Sequence, residues 1–151
     1  MSSESAVVER LEKLSPHLEK INNSVPRINY GGCGAFAVEL YELLERLGYK
    51  PSITVLTYRP LITQSAIGNG LENVMGGIDH IIVRVGKYCL DSEGVHSVSE
   101  TIREWGVSEV WVNDVPIYML KMWVANRLNW NKVFDRSNIP VIKTYLNQIT
   151  I

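Results

Sequence analysis

The sequence predicts an α+β fold in which N-terminal helices, one of them bearing a candidate nucleophile, pack on a small antiparallel β-sheet. Three observations carry this. Apolar residues recur at helical spacing near both ends of the chain. The middle holds two strand-like runs, Asp79 to Val85 and Lys87 to Asp91, joined by a tight-turn signal at Gly86-Lys87. The helical segments mostly flank the strands instead of alternating with them, which is the α+β pattern.

Val7, Val8, Leu11, Leu14, Leu18 and Ile21 line one face of a helix over the first two dozen residues. Ser15-Pro16 kinks it or starts a second piece, because proline fits a first helical turn and not an interior. Asn29-Tyr30-Gly31-Gly32-Cys33-Gly34 reads as a glycine loop. A helix over Ala35–Leu47 follows, with Phe36, Ala37, Leu40, Leu43, Leu44 and Leu47 buried and Gly48 as its C-terminal stop. Ile53 to Tyr58 is a strand. Arg59 to Gly77 is a polar, Gly- and Asn-bearing stretch, read either as a lid or binding loop or as holding a short helix around Leu71 to Met75. Past Gly94 the order is a helix over Ser99 to Trp105 and a strand over Glu109 to Val112. A helix capped by Asp114 with Pro116 in its first turn comes next, then a last helix over Ile139 to Leu146.

The 151 residues suit a single domain, 1–151, able to bury one core. Apolar residues make up 46% and charged residues 21%, with a formal net charge of −1. That balance marks neither a nucleic-acid nor a membrane-surface binder. No apolar run reaches the roughly 18 residues that span a bilayer, and the polar, acidic start is unlike a signal peptide. Two cysteines make a disulfide scaffold improbable, so a cytoplasmic location is expected, where thiols stay reduced.

A cysteine is a strong nucleophile only as thiolate, and a helix N-terminus with a nearby imidazolium can lower its pKa from about 8.5 to as low as ~3.5. Cys33 stands where the glycine loop meets a helix, so unpaired N–H groups of the first turn point toward its sulfur. Its own N–H can help bind the oxyanion of a tetrahedral intermediate. Taken alone, the motif fits a small buried structural cysteine better; its partners change the weighting. A two-residue turn at Gly86-Lys87 pairs Val85 with Tyr88, Ile82 with Asp91 and His80 with Glu93. Facing residues share a side, so His80, Ile82 and Arg84 lie with Cys89, Asp91 and Glu93. The other face, Ile81, Val83, Val85, Tyr88 and Leu90, is nearly all apolar and is the predicted core. Imidazole and carboxylate therefore meet on the less apolar side, and a slip by one residue would separate them. A histidine held by a carboxylate and aimed at a thiol is what nucleophilic acyl transfer requires. Glu93, directly opposite His80 in this register, is the alternative orienting acid.

These residues resemble the papain-like cysteine peptidases. Gly31-Gly32-Cys33-Gly34-Ala35-Phe36-Ala37 is similar to the family's nucleophile motif. Asp79-His80 followed by an apolar run to Val85-Gly86-Lys87-Tyr88 resembles its histidine strand, and Asp91-Ser92-Glu93-Gly94 falls where it places Asn-Ser-Trp-Gly. The order Cys, His, Asp also suits the wider group that includes transglutaminase-like enzymes and bacterial effector proteases. The resemblance covers about residues 29 to 94. It implies a papain-like fold and a cysteine protease, amidase or deamidase working through a thioester acyl-enzyme. Cys33 would be the nucleophile, His80 the base and Asp91 the orienting acid, with a protein or peptide as substrate. The family's oxyanion glutamine has Arg27 at its position here, and Asn29, the nearest amide side chain, is the oxyanion candidate. Gly34 replaces the tryptophan after the nucleophile, and the Cys-to-His interval is much shorter than in papain.

Cys89 reads as a strand residue under the site. His17 and His96 read as surface or loop residues. Cys33, His80, Asp91 and His96 match no zinc spacing, so neither a metal nor a cofactor is expected. Trp105, Trp111, Trp123 and Trp130 are packing residues. Met119, Met122, Trp123 and Trp130 make the C-terminal region a candidate homo-oligomer interface. The competing function is a catalytically inactive papain-like fold used as a protein-binding module, and acyl transfer to an amine is a third outcome of the same chemistry.

Overall fold

The computed structural model describes residues 9–25, 33–57, 78–91, 94–97, 111–125 and 136–149. It is a mixed helix and antiparallel-sheet architecture. Helix α1 spans Ser15–Ser24, α2 Cys33–Arg46, α3 Ile117–Ala125 and α4 Ile139–Asn147. The strands are β1 (Ser52–Thr57), β2 (Ile78–Val85), β3 (Tyr88–Asp91), β4 (Gly94–Ser97) and β5 (Trp111–Val115). They form one sheet in the order β4-β3-β2-β1-β5, with every neighbouring pair antiparallel.

Local chemistry sets the boundaries. Residues 9–12 are helical, a turn follows at Lys13-Leu14, and α1 restarts at Ser15 with proline in its first turn. The predicted break at Ser15-Pro16 is therefore a restart, as proline's missing N–H and fixed φ dictate. Helix α2 ends in a paired C-terminal cap. Gly48 takes φ 93°, its N–H meets the Glu45 carbonyl at 3.1 Å, and the Tyr49 N–H meets the Leu44 carbonyl at 3.0 Å. Gly86 opens the β2–β3 turn at φ 60°, the conformation expected of glycine at the first central position.

The core lies between the helices and one face of the sheet. Leu18 and Ile21 of α1, Leu40, Leu43 and Leu44 of α2, Leu120 of α3 and Ile142 and Leu146 of α4 pack with Ile53, Val55, Ile81, Val83, Leu90 and Val115. Each such fully buried aliphatic side chain contributes about 1.5–3 kcal/mol. The first six residues of α2, Cys33 to Val38, are all buried, whereas past Glu39 only Leu40, Leu43 and Leu44 are. Gly34, Ala35 and Ala37 are small enough to let the helix start deep inside the protein.

Two expectations are corrected. Asp114 is not a helix cap. It belongs to β5 opposite Thr54, whose Oγ1–H donates to Asp114 Oδ1 at 3.0 Å, and β5 runs three residues beyond the expected Val112. The chain also reverses after Asp91 to form β4, a strand the sequence reading lacked, with Asp91 opposite Gly94. Met119 is buried in the core and Met122 packs against that core. The expected lid at 59–77, the helix at 99–105, Trp105 and Trp130 lie outside the described residues, as do the side chains of Trp111 and Trp123.

Candidate active site

Helix α2 begins at Cys33 itself, two residues before the expected start at Ala35. The thiol therefore sits at the positive end of the helix dipole, where first-turn N–H groups lack intrahelical partners. His80 comes from β2 and Asp91 from the end of β3. The register Val83↔Leu90, Arg84↔Cys89 and Val85↔Tyr88 is the one that a two-residue Gly86-Lys87 turn imposes. It brings imidazole and carboxylate together across eleven residues of chain.

The His80 Nε2–H donates to Asp91 Oδ2 at 2.9 Å, a buried contact. An ionised carboxylate only accepts, so this bond fixes a proton on Nε2. The Cys33 side chain lies close enough to the same ring to raise its pKa. A β-bulge falls beside it: Leu56 pairs with His80, but Thr57 pairs with Ile78, so Asp79 is the extra residue. Bulges bend a strand and re-aim the neighbouring side chain, and they are common next to active sites.

The site is closed. Cys33 is 9%, His80 2% and Asp91 4% exposed. The sheet face bearing His80 and Asp91 is therefore buried as well as the apolar one, which its polar composition does not foretell. Burial by itself pulls the imidazole pKa down. The bond that the ring donates to Asp91, with the influence of the nearby Cys33 side chain, more than offsets it and raises His80 from 6.5 to about 10. The ring is held as imidazolium at neutral pH, beside the groups that stabilise its charge.

Asn29 and Glu93 lie outside the described residues, as does the His96 side chain; His17 is exposed. Both Cys33 and Cys89 are free thiols, and Cys89 is fully buried in β3 as expected. Among the described residues no group of three His, Cys, Asp or Glu side chains is placed to hold a metal ion, and no helix is long and apolar enough to cross a membrane.

One feature the sequence reading missed is a cleft of about 620 Å³ away from these residues, between α2, α3 and α4. Glu39, Glu42, Glu45 and Arg46 line it from α2, Lys121 from α3, and Lys143 and Asn147 from α4. The i, i+3 spacing of the three glutamates was the available signal. Its polar side chains answer one another: Lys121 Nζ is 3.3 Å from Glu42 Oε1, and Arg46 Nη1 donates to Asn147 Oδ1 at 2.9 Å.

No protein-family model, curated protein or solved structure matches the chain. The functional reading therefore rests on the geometry of Cys33, His80 and Asp91.

Proposed function

We propose that the protein is a cysteine-dependent hydrolase of papain-like fold and chemistry, a protease, amidase or deamidase acting on a protein or peptide. The observation that carries the reading is the imidazole of His80, buried and held to Asp91 at 2.9 Å, with the Cys33 side chain near enough to raise its pKa. A nucleophile, a base and an orienting acid brought together are the parts that acyl transfer through a thioester needs.

The roles follow. The Cys33 sulfur attacks the substrate carbonyl, forming the S–C bond while the carbonyl π electrons move to oxygen. The resulting oxyanion meets the free N–H groups at the start of α2. His80 gives its thiol-facing proton to the leaving amine as the C–N bond breaks, which leaves the thioester. A water then loses a proton to His80 and attacks the thioester, and departure of the Cys33 sulfur releases the acid. Asp91 keeps the ring oriented and balances its charge in every step. Replacement of water by an amine at the last step would give acyl transfer from the same intermediate.

A second reading has its own observation. Cys33 is only 9% exposed and His80 2%, and the position of the family's oxyanion glutamine holds Arg27. A papain-like fold used for protein binding would tolerate a closed, disused triad. Intact-mass spectrometry after exposure to a thiol-directed, acyl-mimicking probe separates the two. A hydrolase gains one adduct, which Cys33→Ala loses. A binding module gains none, or gains one that persists in Cys33→Ala.

A further inference from the structure

The sheet face that carries His80 and Asp91 also buries apolar side chains that belong to no helix-facing core. Leu56 and Ile82 are 0% and 1% exposed, yet neither joins the cluster that unites the helices with Ile53, Val55, Ile81 and Val83. Their positions are specific. Leu56 lies directly opposite His80 across the β1–β2 pair, at the last regular position before the bulge. Directly opposed residues share a face, with Cβ atoms about 4.5–5.5 Å apart, so the leucine side chain leaves the sheet beside that of His80. Ile82 is the next residue of β2 on that face. The pairing Val83↔Leu90, carried one step further, puts Ile82 across from Asp91. One aliphatic side chain therefore flanks the ring, and another stands at the junction of ring and carboxylate.

We infer that Leu56 and Ile82 are positioning residues that brace the imidazole of His80 and keep water out of its hydrogen bond to Asp91. This rests on the catalytic reading above and extends it to two residues that touch no reacting atom. The physical basis is twofold. A bulge loosens the local strand, so the His80 ring needs lateral support to keep one orientation. A hydrogen-bonded charge pair is also worth more where the local dielectric is low, and it weakens if water enters. Leu56 and Ile82 supply both effects with no polar atom of their own.

The test uses the full chain with ¹⁵N-labelled histidine. NMR follows exchange of the His80 Nε2 proton with water, assigned by its loss in His80→Gln. A second readout is the rate of Cys33 alkylation by iodoacetamide. Leu56→Ala and Ile82→Ala should each speed proton exchange by about tenfold or more and slow alkylation of Cys33. Leu90→Ala removes the same atoms from the chain neighbour of Asp91, on the opposite face, and should change neither rate by more than about twofold. Leu56→Met, which conserves volume, should restore both. Should Leu56→Ala fail to fold, the milder Leu56→Val and Ile82→Val are read against Leu90→Val in the same way. Equal effects from Leu56, Ile82 and Leu90 would overturn the inference by making the first two ordinary packing residues. Failure of the catalytic reading shows separately, without any Leu56 or Ile82 variant, as Cys33 alkylation that is indifferent to His80→Gln.

Discussion

The two ends of helix α2 both gather charged side chains, and only one end has taken them out of water. At the N-terminal end, Cys33 meets His80 and Asp91 with all three buried. Along the C-terminal half, Glu42 and Lys121 sit 3.3 Å apart with about half of each side chain exposed. Distance alone does not separate these contacts; burial does. An exposed pair is screened, costs side-chain entropy and contributes about 0–1 kcal/mol. A buried pair costs several kcal/mol of desolvation per ion and persists only when its geometry satisfies it. Natural sequences place such expensive groups at functional sites far more often than at random. The difference between the ends of one helix is thus the physical ground for assigning function to the first.

The largest effect that would break this comparison is chemical. Cys33→Ala should abolish turnover, a loss of about 10³-fold or more, while circular dichroism shows an unchanged fold. Survival of activity in that variant would move the chemistry elsewhere. Next in size is Asp91→Ala, which leaves a buried imidazole without its acceptor. It should cost about 3–5 kcal/mol in chemical denaturation, against less than about 1 kcal/mol for Glu42→Ala at the exposed end. Equal costs would erase the distinction between the two ends.

A third effect sharpens the comparison through pH. His80 has a folded-state pKa of about 10, raised from 6.5 by Asp91 and Cys33 against the opposing pull of burial. A raised pKa means that the folded state binds the proton more tightly. Its stabilisation is fully present below about pH 6.5 and is lost as pH rises through about 10. Wild-type stability relative to His80→Gln should therefore shrink steadily over that window in denaturation series at several pH values. A difference independent of pH would mean that the ring carries no extra charge in the folded protein. The smallest effect is expected from Lys121→Ala, within about 0.5 kcal/mol of wild type and weaker still in high salt.

How much was legible in the sequence follows the range of the forces involved. The β2–β3 register was readable because Gly86 accepts a positive φ and a two-residue turn leaves one pairing, from which the meeting of His80 and Asp91 follows. The end of α2 was readable from Gly48 for the same reason. Asp114 misled because an aspartate just before Pro116 carries the strongest local helix-start signal, and only the cross-strand bond to Thr54 shows its actual use. β4 escaped notice because Gly94-Val95-His96-Ser97 is too short to display an alternating pattern. The bulge at Asp79 and the burial of the His80 face are tertiary facts. A face bearing histidine, arginine and aspartate reads as solvated until three-dimensional packing closes it.

The central claim is that the thiol of Cys33 is activated through the imidazole of His80. The most direct test is the second-order rate of iodoacetamide alkylation, resolved by peptide mass spectrometry for Cys33 and Cys89 in wild type and in His80→Gln. The account predicts much faster alkylation at Cys33 than at Cys89 in wild type, and a fall of about tenfold or more at Cys33 alone in the variant. Equal rates at the two thiols, or a Cys33 rate unmoved by His80→Gln, would contradict it.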